Sequence, residues 1–313
     1  ALEAYKSDVK GCFGCPIRCG RISTVRGGAY ACTTAGPEYE SVDSLGPQCD
    51  GSDPEVIIYA NMLCNELGLD TLSTGAAIAF AMECHEHGLL DDETLSLEWG
   101  DPETVVEAIR RISARSGIGD LLASGVRAAA ATLGGDASRY AMEVKGLEIP
   151  SQEGRVAKSF GLGHATSNRG ADHLYALPTI DTAGLEEAAR MHLAHVLPDV
   201  MDPGDERHKP DLVVFSEHYC AGADSLGVCK FSTVETHPLH PEDLARGARA
   251  LGVETTGDEL LRAGERIVNL ERMFNVRLGL SSKDDRLPSR FTEEPMPVER
   301  GGRTTHHVIE SFD

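Results

Sequence analysis

DPEVIIYANMLCNELGLDTLSTGAAIAFAMECHEHG, residues 53–88, decides the fold class. Asp53 followed by Pro54 is a helix start: a capping carboxylate precedes a residue whose missing N–H is harmless at the first helical position. Val56, Ile57, Ala60, Leu63 and Leu67 then recur at helical spacing until Gly68 stops the run. A second helix is expected from about Ser73 to Gly88, and its near-continuous apolar run through Ala76, Ile78, Phe80 and Met82 predicts burial on most sides.

The same reading extends in both directions. A third helix begins at Asp101-Pro102-Glu103 and runs to Gly117, and a fourth, rich in Ala, runs from Ile118 to about Leu133 and ends in Gly134-Gly135. Upstream, residues 1–50 have little periodicity and many Gly, Pro and Cys, so loop and short strand are expected there, ordered by something they wrap. Downstream, MEVKGLEIP at 142–150 is extended and marks a boundary between domains 1–147 and 148–313. Further helices are expected at 185–197, 212–222, 241–251 and 258–274, the last with Leu260, Leu261, Ile267, Leu270 and Phe274 on one stripe. After Arg277 the prolines Pro288, Pro295 and Pro297 give a surface tail. The fold class is therefore mainly α, in two helical domains, which suits a chain of 313 residues.

Composition narrows the function classes. The chain has 50 Asp+Glu against 29 Lys+Arg, a formal charge of −21, which repels nucleic-acid phosphates and anionic lipid surfaces alike. No apolar run is long enough to span a bilayer. The melting temperature is expected to rise between low and high salt as self-repulsion is screened, and a flat or falling trend in a thermal scan would contradict this. Nine cysteines, an odd number with no signal-peptide pattern, read as reduced thiols of a cytoplasmic protein.

Three of those thiols carry the strongest chemical signal. In CFGCPIRC, Cys12, Cys15 and Cys19 share one short loop, where they can converge on a polynuclear centre. A compact triplet with one distant ligand fits a [4Fe–4S] cluster better than zinc ribbons, whose ligands come in two separated pairs. Cys32, Cys49, Cys64, Cys84, Cys220 and Cys229 are the candidates for the fourth ligand. Context favours Cys229, which closes DSLGVCKF, where Gly227 permits a tight turn. DSLGVC at 224–229 shares the frame x-x-Leu-Gly-apolar-x with NELGLD at 65–70, although Leu67-Gly68-Leu69 is equally what an ordinary helix C-cap looks like.

Weaker signals fall away. GLGHATS at 161–167 has half of a dinucleotide fingerprint but lacks the strand, the third glycine and the acidic partner. Cys84, His85 and His87 read as helix-end residues, and His306-His307 as a solvated pair in the tail. No G-x-S-x-G and no P-loop occur, which leaves serine hydrolases and NTPases without support.

Taken in order, CFGCPIRC, GPEYES at 36–41, NELGLD, GHATSNRGADH at 163–173 and DSLGVC resemble the aldehyde:ferredoxin oxidoreductase family of tungsten or molybdenum pterin enzymes. The resemblance runs from the cysteine triplet to LPSRF at 287–291 and implies the family's helical second and third domains. It implies that Cys12, Cys15, Cys19 and Cys229 hold one [4Fe–4S] cluster, and that the two Leu-Gly motifs embrace the two pterins of a tungstopterin or molybdopterin. Asp224, Gly227 and Val228 would serve one pterin, and Asn65, Gly68, Leu69 and Asp70 the other. Asn65 replaces the leading Asp of that motif, so Asp70 becomes its main acidic group.

By the same resemblance Glu40, directly after Tyr39, is the carboxylate that takes part in proton transfer, in preference to Glu38. His173 matches the histidine near the metal-bound oxygen, with His164 as second choice. The implied reaction is oxidation of an aldehyde to a carboxylic acid, with electrons passing through the cluster to ferredoxin. The family's full chains also carry an N-terminal β-domain and continue past the final ESFD, so a fragment or a β-domain partner in trans is expected. Two other classes compete. A non-catalytic Fe–S electron-transfer subunit would lack pterin, and a zinc-stabilised helical binding domain would be colourless rather than brown.

Overall fold

The computed structural model describes residues 1–294, and among them α-helix dominates. The last part of the expected tail, with Pro295, Pro297 and His306-His307, lies outside the described residues. The chain divides into two compact units, Ala1–Ser151 and Gln152–Asp313. No helix among the described residues is long and apolar enough to cross a membrane.

The first unit opens with an antiparallel sheet of β1 (Lys6–Lys10), β2 (Gly20–Val25) and β3 (Cys32–Ala35), in that order. Lys10 pairs with Gly20 at one end, so the cysteine triplet forms the β1–β2 connection. After α1 (Tyr39–Leu45) come α2 (Pro54–Leu67) and α3 (Thr71–Glu86), the pair read from residues 53–88. Asp53 and Asp70 are their N-caps, accepting from the backbone N–H groups of Glu55 at 2.9 Å and Ser73 at 2.7 Å. Helix α3 buries Thr74, Gly75, Ala77, Ile78, Phe80, Ala81, Met82 and Cys84, as its apolar run requires. Gly75 lets it approach α1 closely: a Cβ there would stand 2.2 Å from the Ser44 carbonyl oxygen.

Helix α4 (Pro102–Ala114) starts at the expected Asp-Pro signal, with Asp101 accepting from the Glu103 N–H at 3.1 Å. The expected fourth helix is two, α5 (Ile118–Leu122) and α6 (Val126–Leu133). Gly125 between them has φ of 83°, outside helical backbone, and the buried Glu148 carboxylate takes the freed Val126 N–H at 2.9 Å. Glu148 lies on β5 (Leu147–Glu148), which pairs with β4 (Glu143–Val144) in the segment expected to be extended.

The second unit holds α7 (Lys158–Thr166), α8 (His173–Ala176), α9 (Thr179–Thr182), α10 (Glu186–His192), α11 (Lys209–Ser225), α12 (Pro241–Ala250), α13 (Gly257–Arg277) and α14 (Ser289–Glu293). Among the described residues its core holds clusters of buried side chains around Phe160, Tyr219 and Leu244, around Ile180, Leu193 and Leu212, and around Leu162, Ala176 and Val213. Helix α13 departs from expectation. Leu260 is buried, but Leu270, Met273 and Phe274 are 69%, 64% and 63% exposed. This half of α13 is held instead by polar contacts: Asn168 Nδ2 donates to the Val268 carbonyl and Asn275 Nδ2 to that of Asn168, at 2.9 and 2.7 Å.

A fully buried ion pair ties α9 to α11. Lys209 Nζ lies 2.8 Å from Asp181 Oδ2, and neither side chain reaches solvent. The other hydrogen-bonding capacity is met: Lys209 donates to the carbonyls of Val200 and Asp202, and Asp181 Oδ1 accepts from Ser159 Oγ and the Thr182 N–H. Removing one partner strands the other charge in the interior, so Asp181→Ala is expected to destabilise the second unit by about 3–5 kcal/mol. Urea denaturation measures it; a loss below about 1 kcal/mol would show that the pair can be dispensed with.

Candidate functional site

The loop carrying the triplet is shaped for convergence. The Cys15 N–H bonds the Cys12 carbonyl at 3.1 Å, Gly14 has φ of 69°, and Arg18, itself at φ of 50°, reaches back to the Val9 carbonyl at 2.9 Å. These bonds fold the loop back on itself while leaving the Cys12 and Cys19 side chains exposed and Cys15 half-buried.

Burial sorts the remaining cysteines. Cys49, Cys64 and Cys84 are packed in the core of the first unit and Cys220 in that of the second. Burial pushes the thiols of Cys49, Cys64 and Cys220 up to about 12 and that of Cys84 up to about 11, so these four are protonated hydrophobes. Cys229 is exposed and Cys32 is half-buried on β3, its thiol raised by partial burial. Of the six candidates for a fourth ligand, these two keep an accessible sulfur. A set of exposed thiols on a tight loop is chemically suited to iron.

The two Leu-Gly motifs have the same backbone geometry. Gly68 and Gly227 sit at φ of 70° and 68° just past the ends of α2 and α11. The next N–H, of Leu69 or Val228, closes back to the carbonyl of Cys64 or Ala223, at 2.9 and 3.0 Å. This is the Schellman closure of a helix, so the ordinary C-cap reading of Leu67-Gly68-Leu69 is met in full. It also presents both motifs in one conformation, with nothing within 4 Å of where either glycine's Cβ would be.

The polar groups around the motifs differ. Asn65 Nδ2 donates to the Ala35 carbonyl at 3.4 Å, and Asp70 is occupied at Oδ1 as the cap of α3. Asp224 pairs with Lys230 at 3.0 Å, and Lys230 Nζ also donates to the Leu174 carbonyl, which connects the motif to α8. Lys230 was not singled out from sequence; its position directly after Cys229 was the available signal.

Glu40 lies in the first turn of α1, and its Oε2 accepts from the Ser151 N–H at 3.0 Å and Ser151 Oγ at 2.8 Å. Glu38 is exposed. Ser151, 111 residues away in sequence, carried no sequence signal.

In the second unit His173 opens α8 and is half-buried, with Asp172 as the N-cap accepting from the Leu174 N–H at 2.8 Å. His164 is inside α7 and 1% exposed; burial first, and the neighbouring His173 second, push its imidazole down to about 3. Neither of its ring nitrogens has a hydrogen-bond partner. A neutral, buried, unsatisfied imidazole beside a second histidine fits a place where a bound group completes the hydrogen bonding. His85 and His87 stand at the end of α3, His87 stacked on Tyr140, as helix-end residues do.

The family model for aldehyde ferredoxin oxidoreductase, domains 2 and 3, matches residues 1–313. The tungsten-containing aldehyde ferredoxin oxidoreductase of Pyrococcus furiosus is 40% identical over 296 residues, covering 92% of this chain and 46% of that protein. Its counterpart from Thermococcus kodakarensis is 37% identical over 306 residues, 95% of this chain and 47% of that protein. An aliphatic sulfonate oxidoreductase, WOR-like subunit, of P. furiosus is 33% identical over 311 residues, 95% of this chain and 44% of that protein. Among solved structures, the active site complex BamBC of benzoyl coenzyme A reductase with 1,5-dienoyl-CoA superimposes with a TM-score of 0.74 at 22% identity. That match covers 92% of this chain and 47% of that one, and shows a shared fold. The chain spans about half the length of the curated relatives it matches.

Proposed function

This chain belongs to the aldehyde ferredoxin oxidoreductase family, whose domains 2 and 3 it carries, and from that premise we propose that the protein oxidises an aldehyde and water to a carboxylic acid. Two protons and two electrons leave, the electrons through a [4Fe–4S] cluster to ferredoxin in the cytoplasm. The bound tungsten- or molybdenum-pterin supplies the redox chemistry and Lewis acidity.

The chain's own residues hold and orient. Cys12, Cys15 and Cys19 would ligate the cluster with Cys229 as fourth ligand, which burial supports by removing every other candidate but Cys32. Asp224 and Asn65 would each offer an oxygen acceptor to the amino-pyrimidine edge of a pterin, the charged one binding more strongly. Gly68 with Leu69, and Gly227 with Val228, would shape the turns against the pterins, with Asp70 beside the first. Glu40, fixed by Ser151, would receive the proton, and His173 would hydrogen-bond the substrate, with His164 next to it. An N-terminal β-domain, in the same chain or in trans, would complete the cofactor's surroundings.

The observation that carries this reading is the pair of Leu-Gly turns with matching glycine φ and closure, together with a cysteine triplet on one tight loop whose Cys12 and Cys19 are exposed and Cys15 half-buried. Elemental analysis of protein purified without oxygen, with the β-domain present, tests it. About four Fe and one W or Mo per chain is the expected result. Iron without W or Mo would leave an electron-transfer subunit, and zinc alone would refute the cluster.

A further inference from the structure

Three histidines that belong to none of the motifs above converge in the second unit. His192 is the last residue of α10, while His237 and His240 bracket Pro238-Leu239 in the turn that leads into α12. One ring nitrogen from each lies within 4.8 Å of the other two, and His192 Nε2 and His240 Nδ1 are 3.1 Å apart. Metal–nitrogen bonds of about 2.0–2.1 Å in a tetrahedron put ligand nitrogens roughly 3.3 Å apart, so small side-chain rotations bring all three to one ion.

His237 is the second observation. It is 6% exposed, and neither of its ring nitrogens has a hydrogen-bond partner. It is held with φ of 50°, a costly backbone conformation for a side chain of this size. Buried imidazoles without partners are rare unless a ligand supplies one.

The surroundings fix the rings, and of the three only His237 has both ring nitrogens without a partner, since His192 Nε2 and His240 Nδ1 share a hydrogen bond at 3.1 Å. Phe215 stacks on His192 at 4.5 Å and on His237 at 6.1 Å between ring centres. Tyr219 lies beside His237 but donates its hydroxyl to the Leu239 carbonyl at 2.7 Å, which pins the turn. His240 is the N-cap of α12, in a capping box with Asp243, whose carboxylate takes the His240 N–H at 2.9 Å and places negative charge nearby.

We propose that His192, His237 and His240 bind one divalent ion of the zinc class, joining the end of α10 to the start of α12 and leaving the fourth position to water or a small anion. Imidazole ligands suit zinc and its neighbours, and three histidines with an open position is an established zinc set. The site is independent of the cysteine loop and of the pterin reading.

The test is zinc content and zinc K-edge absorption of the full protein, equilibrated with Zn²⁺ and then desalted, for the wild type and for His237→Phe. The substitution removes the ligand but keeps an aromatic ring in an aromatic setting; His192→Phe is the second variant, and far-UV circular dichroism checks both folds. Expected is about one zinc per chain with a nitrogen and oxygen shell at about 2.0–2.1 Å, falling at least about tenfold in the variant. Absence of retained zinc in the wild type overturns the proposal. So does zinc in a sulfur shell near about 2.3 Å, or zinc that persists in both folded variants.

Discussion

Cys15→Ser is expected to strip the iron from the anaerobically purified protein, from about four Fe per chain to below about one, and to turn brown protein nearly colourless. A serine hydroxyl is not deprotonated at neutral pH and is a poor ligand for iron, and Cys15 is the last residue of the turn that its own N–H closes onto the Cys12 carbonyl. Its loss therefore removes one corner of the cluster and leaves the other two loop thiols with nothing to share. The fold around it depends little on this side chain, because the loop lies outside the buried core of the first unit. Cys84→Ser is the matched control. That thiol is buried in the core, so its replacement costs about 1–3 kcal/mol of stability by burying a hydroxyl, but leaves the iron in place. Applied to the two accessible candidates, the same measurement identifies the fourth ligand: Cys229→Ser loses iron and Cys32→Ser keeps it. Full iron in Cys15→Ser would remove the cluster from this loop, whatever the family.

Helix starts were legible because they are local. Asp53-Pro54 and Asp101-Pro102 each place a carboxylate two residues before the N–H it accepts, and both caps form. The break at Gly125 was not legible, because what stabilises it is Glu148, distant in sequence and brought there by the β4–β5 hairpin. Periodicity placed Leu270 and Phe274 on one face of α13 but carried no information on whether a partner covers that face. At the site, the cysteine triplet and the Leu-Gly turns were readable for the same reason as the caps, since a few consecutive residues define each. Ser151 beside Glu40 and the meeting of His192 with His237 and His240 are contacts across 111 and 45–48 residues, made by folding and written in no motif.

Glu40→Gln is expected to lower kcat for aldehyde oxidation by about 10²–10⁴-fold, with KM, iron and tungsten or molybdenum content little changed. Glutamine has the size and shape of glutamate, and its carbonyl can still accept from the Ser151 N–H and hydroxyl, so α1 and its link to Ser151 persist. What it cannot do is take up a proton, so a barrier that rises without a loss of binding points to the chemical step. Two companion variants separate proton transfer from position. Ser151→Ala removes the hydroxyl's hydrogen bond to Oε2 but keeps the backbone donor and the basic carboxylate, so it should cost far less, about tenfold or under. Glu38→Gln alters the exposed carboxylate of the same GPEYES segment and should leave kcat unchanged. If Glu40→Gln retained wild-type turnover while Glu38→Gln lost it, the proton would leave through Glu38, and the bond to Ser151 would mark Glu40 as the group that anchors α1.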